Sequence, residues 1–201
     1  EARVAVGAVE IISDVATRCE TLLEQGRVQF LLCHAHDEVP ARLNPADFDA
    51  VDVGTDRLLP VSAPDSRGRP QHKLSAPGAR SGRVPLLAYG AESGLGRAVR
   101  ALHGASLAGA DVVVTAHLAT VLRSLALEGR GLAFLPFSLI EADLQAGRLV
   151  VGERCGLPLT GPTQQPGPQL GAHVAGAGGP LQRVRDGHVV TARRRVAGGS
   201  D

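Results

Sequence analysis

Short apolar runs alternate along this chain with segments in which apolar residues recur every three or four positions. Residues 8–12 are apolar and β-branched, as in a buried strand. Ser13 or Asp14 offers a cap, and Val15, Cys19, Leu22 and Leu23 then share one helical face. Gly26 is a natural stop, and residues 28–33 form a second apolar run. Strand, helix and strand in this order predict a parallel pair joined by a right-handed crossover. Residues 48–53 alternate weakly and read as a possible strand. Residues 58–63 form an extended stretch that Pro60 should break. Residues 64–83, rich in Pro, Gly, Ser and Arg, predict a surface loop or hairpin. Residues 84–89 read as a strand and 94–103 as a helix with Leu95, Val99 and Leu102 on one side. A strand over 111–114 leads to a helix capped by Thr115, with Leu118, Val121, Leu122, Leu125 and Ala126 as its apolar stripe and Gly129 as its end. A strand over 132–135 is closed by Pro136. Ser138 and Glu141 form a capping box for a short helix ended by Gly147, and 149–151 is a last strand. Residues 152–201, dominated by Gly, Pro, Gln and Arg without a sustained period, are expected to be a low-complexity, disordered tail without a packed core.

Composition narrows the function more than the fold. The 201 residues suffice for one medium domain or two small lobes, and 44% are hydrophobic. Aromatics are only 2%, with no Trp or Met, so the core must be Ala, Val and Leu. Lys and Arg number 21 against 20 Asp and Glu, and a net charge of +1 supplies no general drive toward nucleic acid or an anionic membrane. Three scattered cysteines make no disulfide framework, which fits a reducing compartment. No run approaches the ~20 apolar residues of a membrane span. The opening Glu1-Ala2-Arg3-Val4 lacks a signal-peptide pattern. A cytoplasmic location without membrane contact is the expectation.

Several segments, taken together and in order, resemble one family. Leu22 to Leu32 is similar to the helix, glycine and buried strand of LysR-type effector domains. Asp56-Arg57-Leu58-Leu59-Pro60-Val61 resembles the strand by which such chains cross into their second lobe, and Pro85 to Tyr89 the strand leading to a pocket loop. Thr115 to Pro136, ending in Gly129-Arg130-Gly131-Leu132-Ala133-Phe134-Leu135-Pro136, is similar to the family's helix followed by G-x-G-[IL]-A-x-L-P. Leu144 to Val150 resembles its usual sequel. The resemblance covers about residues 8–151. It implies an α/β fold with two lobes like those of periplasmic solute-binding proteins, the first lobe incomplete. Residues 1–60 would belong to that first lobe and 61–133 to the second, with 134–151 returning to the first. It further implies no enzymatic activity and no cofactor. The expected partner is a small anionic effector held between the lobes to control transcription. Homo-oligomers are expected, and DNA contact only through a helix-turn-helix segment not recognisable in these residues. A free or transport-type solute-binding protein, or a fragment of a regulator, is the alternative.

Candidate binding residues follow from strand ends, where ligands collect beside helix N-termini in parallel α/β sheets. Thr115, Ala116 and His117 occupy one such place. The loop beginning at Tyr89 and Gly90 and including Ser93 occupies another. Gly90, Gly94 and Gly96 lack the spacing and the Lys-Ser/Thr of a nucleotide loop. Cys33, His34 and His36 end the second strand. Their side chains alternate, and no partner set with zinc-like spacing accompanies them, so no metal is expected. The resemblance places that loop at the cleft, which makes His34 a candidate contact. Phe137 is another, beside Ser138, whose simpler reading is a helix cap. The run Arg193-Arg194-Arg195 reads as a solvated stretch.

Overall fold

In the computed structural model, three helices stop at the same sequence, Gly-Arg. The structure describes residues 9–36, 39–40, 42–74, 83–152 and 169–176. Helices α1 (Ala16–Glu24), α3 (Ala119–Leu127) and α4 (Phe137–Gln145) are followed by Gly26, Gly129 and Gly147, at φ of 70°, 73° and 66°. A Cβ disfavours that left-handed turn. The N–H of the next residue, Arg27, Arg130 or Arg148, donates back to the carbonyl of Leu22, Leu125 or Asp143, closing the helix end. All three stops are those expected from the sequence.

The strands are β1 (Leu31–Ala35), β2 (Asp49–Ser62), β3 (Val84–Tyr89), β4 (Ala110–Ala116), β5 (Leu132–Pro136), β6 (Val150–Val151) and β7 (Gln169–Gly176). Helix α2 (Gly94–His103) and a 3-10 turn (Gly104–Gly109) join β3 to β4. The strand order is β1-β7-β2-β5-β3-β4, with β6 also on β2. β3 is parallel to both β4 and β5, so α2 and α3 are crossovers between parallel strands.

β2 holds the architecture together. Its first part, residues 49–57, pairs with β7, and residues 58–62 pair with β5 and β6. Pro60 does not break it, contrary to expectation. In a strand, N–H and C=O of one residue point the same way, and Pro60 O accepts from Gly152 N at 2.8 Å. The missing N–H therefore lies where two-residue β6 ends, at an unpaired margin that tolerates proline.

The main core gathers on β5. Leu132, Ala133, Phe134 and Leu135 are all buried, against Leu58, Val61, Leu87, Leu122, Ala126 and Ile140. Buried on both faces, β5 reads as a continuous apolar run, as strands of parallel sheets do. A smaller cluster joins Leu23 and Leu31 with Cys19, Val28, Cys33, Leu43 and Phe48.

Several expectations need correction. Residues 9–15 carry no regular structure, and Val9, Ile11 and Ile12 are exposed; residue 8 lies outside the described residues. Among the described residues the expected first parallel pair is absent, and β1, shifted toward the C-terminus, pairs instead with antiparallel β7. Neither Ser13 nor Asp14 caps α1; its N-cap is Val15. Thr115 lies inside β4, and α3 starts four residues later with Leu118 at its N-cap. Only Leu122 and Ala126 of the α3 stripe are buried, while Leu118 and Val121 are exposed. Ser138 does not cap α4, whose N-cap is Pro136. Helix α4 packs on β2 and β5, and β6 pairs with β2. The stretch read as a structureless tail contributes β7, the strand between β1 and β2. Its other residues, Arg193–Arg195 among them, lie outside the described residues, as does most of the 64–83 loop beyond Leu74.

Candidate functional site

Helix α2 begins beside a backbone contact that ties the β3 end to the β4 end. Gly90 N donates to Ala116 O at 3.0 Å, and Ser93 N to Gly90 O at 3.2 Å. Ser93 Oγ accepts from Gly96 N at 3.3 Å and caps the helix. Helix geometry leaves the N–H groups of Gly94 and Leu95 without intrahelical acceptors. The His117 ring lies over Gly90, where a Cβ would stand 2.6 Å from it, so glycine there makes room for the imidazole.

Opposite this corner stand the start of α1 and strand β1. Between them is a cavity of about 160 Å³. Ser93, Gly94, Leu95, Arg97 and His117 form one wall, and Val15, Cys19, Leu31, Cys33 and His34 are on the other. A second cavity of about 360 Å³ adjoins it across Leu31, Cys33, His34, Gly94 and Arg97, and extends toward Leu43, Phe48 and Ala50.

Charge in this region is organised around two buried carboxylates. Glu20 of α1 accepts from both terminal nitrogens of Arg97 on α2, one at 3.2 Å, and lies 3.7 Å from Arg42 Nε. That hydrogen-bonded pairing raises the Arg97 pKa further. Asp56 of β2 accepts Ser138 Oγ at 2.6 Å, Ser138 N at 3.1 Å and Arg57 N at 2.7 Å, and His34 Nε2 is 3.4 Å away. Burial alone would raise the Asp56 pKa, but these hydrogen bonds outweigh it and hold the carboxyl at about 2. Burial pushes the Cys33 thiol up to about 11, so it stands in the wall as a neutral group.

The structure thus gathers part of the expected set. Ser93, His117 and His34 line the smaller cavity, and Gly90 and Ala116 form its backbone support. The Tyr89 ring is buried in the main core, with its hydroxyl unpaired among the described residues. Thr115 is exposed on β4, paired in register with Ala88. Phe137 lies under the Arg57 guanidinium, 4.3 Å from its ring centre, and is not among the described residues lining either cavity. Among the described residues no group of His, Cys, Asp and Glu is placed to hold a metal. Sequence reasoning missed Glu20, Arg97 and Asp56 as a charge framework. One signal was available: Glu20 sits three residues before Leu23 on the buried face of α1, and a carboxylate there needs a partner.

Residues 8–189 match the family described as the LysR substrate binding domain. The chain belongs to that family. HTH-type transcriptional regulator YjiE of Escherichia coli (strain K12) is 32% identical over 120 residues, 59% of this chain and 37% of YjiE. HTH domain-truncated transcriptional regulator QseD of Escherichia coli O157:H7 is 32% identical over 120 residues, 59% of this chain and 46% of QseD. The match thus spans less than half the length of these curated relatives. The apo regulatory domain of HypT from Salmonella typhimurium superposes with a TM-score of 0.62 at 25% identity, covering 84% of this chain and 71% of that one. The LysR-type α/β regulatory fold is therefore shown, and the names of these relatives are those of transcription regulators rather than enzymes. No helix among the described residues is long and apolar enough to cross a membrane.

Proposed function

We propose that this chain is the sensing part of a LysR-type regulator and that a small anion settles in the cleft lined by Ser93, Gly94, His34 and His117. One observation carries the reading: the α2 N-terminus and two imidazoles converge on one cavity from two groups of strands joined through β2. Unpaired helix N–H groups and the helix dipole favour negative charge there by roughly 0.3–1 kcal/mol. The strands paired with residues 49–57 of β2 form one lobe, and those paired with residues 58–62 form the other. An effector touching both walls favours one arrangement of the lobes over another. That shift is passed to DNA through a helix-turn-helix segment, in the cytoplasm and in a homo-oligomer. The open outer strand β4, with Val112 and Val113 exposed beside Leu118 and Val121, is the face suited to a second copy.

A titration with small carboxylates and inorganic anions, followed by heteronuclear NMR, tests the cleft. Amide shifts should concentrate at Ser93, Gly94 and Leu95, with ring shifts at His34 and His117. His117→Gln should weaken binding several-fold, and Thr115→Val should leave it unchanged. Perturbation confined to surfaces remote from these residues would sink the assignment.

A further inference from the structure

The larger cavity does not suit a small inorganic anion. Its walls are mainly apolar, with Leu31, Leu43 and Phe48 prominent, and at about 360 Å³ it lies within the size range of small-molecule sites. Among the described residues its charged lining is Glu20, Arg42 and Arg97, one carboxylate against two guanidinium groups, with His34 and His36 beside them. The Nε–H of Arg97 is buried with no acceptor among the described residues, although both terminal nitrogens of that guanidinium are used by Glu20. A buried cationic donor left unpaired is costly unless something else completes it. Apolar walls around one surplus cation describe a ligand with an apolar body and one negative head.

We infer that this cavity takes a monocarboxylate carrying an aliphatic chain or ring, with its carboxylate at Arg42 and Arg97 and its apolar body against Leu43 and Phe48. This rests on the chain being an effector-binding domain, and it assigns a ligand class to the cavity beside the proposed anion cleft. Glu20 is the resident counter-ion: it holds Arg97 in place when the cavity is empty and repels the incoming head. Because Glu20 lies on α1 and Arg97 on α2, a carboxylate arriving between them changes the contact that joins the two walls.

The test is a calorimetric titration of the 201-residue chain with acetate, butanoate, hexanoate, octanoate and octan-1-ol, with NMR to locate each. Affinity should rise about fourfold per added methylene until the cavity is filled, with shifts at Leu43, Phe48 and Ala50. Octanol should bind at least about tenfold more weakly than octanoate, as loss of a charge-assisted pair requires. Arg42→Gln, an exposed and structurally mild change, should weaken octanoate several-fold and leave octanol unaffected. Glu20→Gln should tighten octanoate. If acetate binds at Ser93 and His117 with no gain along the series, this inference falls while the proposed anion cleft stands. If no anion binds at either place, both fall. Equal binding of octanol and octanoate also overturns it.

Discussion

Replacing Asp56 tests how the long strand β2 is anchored at its crossing. The side chain is 7% exposed and receives Ser138 Oγ, Ser138 N and Arg57 N, with His34 Nε2 at 3.4 Å. These contacts hold its pKa at about 2, against 3.8 for the ordinary group. By linkage that gap contributes about 2 kcal/mol to folding at neutral pH. The folded-state pKa is depressed, so the contribution is complete above the unfolded value and is lost as pH falls through the folded one. About 1 kcal/mol of it should remain at pH 3, about 0.4 kcal/mol at pH 2 and almost none below pH 1. Among the described residues the ionisable side chain facing this carboxylate is His34, while Arg57 contributes its backbone N–H. The two variants should separate charge from geometry. Asp56→Ala removes every acceptor and leaves the Ser138 and Arg57 N–H groups unpaired, for a loss of about 2–3 kcal/mol at pH 7. Asp56→Asn keeps one oxygen for the two backbone N–H groups. Its NH2 faces a serine hydroxyl and an imidazole nitrogen that can both accept, so the loss should be about 1 kcal/mol. Urea denaturation at pH 7, 5, 3 and 2 reads all of this. The stability difference between the parent chain and Asp56→Asn should shrink across pH 4 to 2. A difference that stays flat over that window, or an Asp56→Ala loss below about 0.5 kcal/mol, would refute the account.

Asp143 is fully buried and bound by Arg123 and Arg148, which depress its pKa. Asp143→Ala should cost about 2–3 kcal/mol by denaturation, less than a fully buried pair because both arginines reach solvent. Leu122→Ala, on the buried face of α3, should cost about 2–5 kcal/mol. Gly131→Ala should be markedly destabilising, since its Cβ would stand 2.6 Å from Pro85 O, whereas Gly54→Ala meets open space and should change stability by no more than about 0.5 kcal/mol. Gly90→Ala should drive the His117 ring from its place, seen as a changed His117 ring resonance with little change in melting temperature.

Which of these features could be read beforehand depended on how local their causes are. Gly26, Gly129 and Gly147 were legible because a left-handed turn after an amphipathic run is settled within five residues. Strand β5 was legible because an apolar run bounded by Gly131 and Pro136 has one sensible use. The failures share a different cause: a side chain recruited by a residue far along the chain. Ser138 reads as a cap because Glu141 follows at the right spacing, yet its hydroxyl goes to Asp56, 82 residues away. Thr115 reads as a cap because an apolar stripe follows, yet the parallel register with β3 carries β4 on through Ala116 and delays the helix. β7 was invisible because Gln169 to Gly176 has little strand propensity of its own. Its place is set by two neighbours, β1 and β2, which offer hydrogen bonds on both sides. The candidate site divides the same way. Ser93 and His117 could be found from their positions at strand and helix ends. Glu20 and Arg97 could not be paired, because 77 residues separate them and only the approach of α1 to α2 brings them together. In the function proposed above, local chemistry marks the strand and helix ends that receive the anion, and the charge balance around them is set by the contact of Glu20 with Arg97 between the two walls.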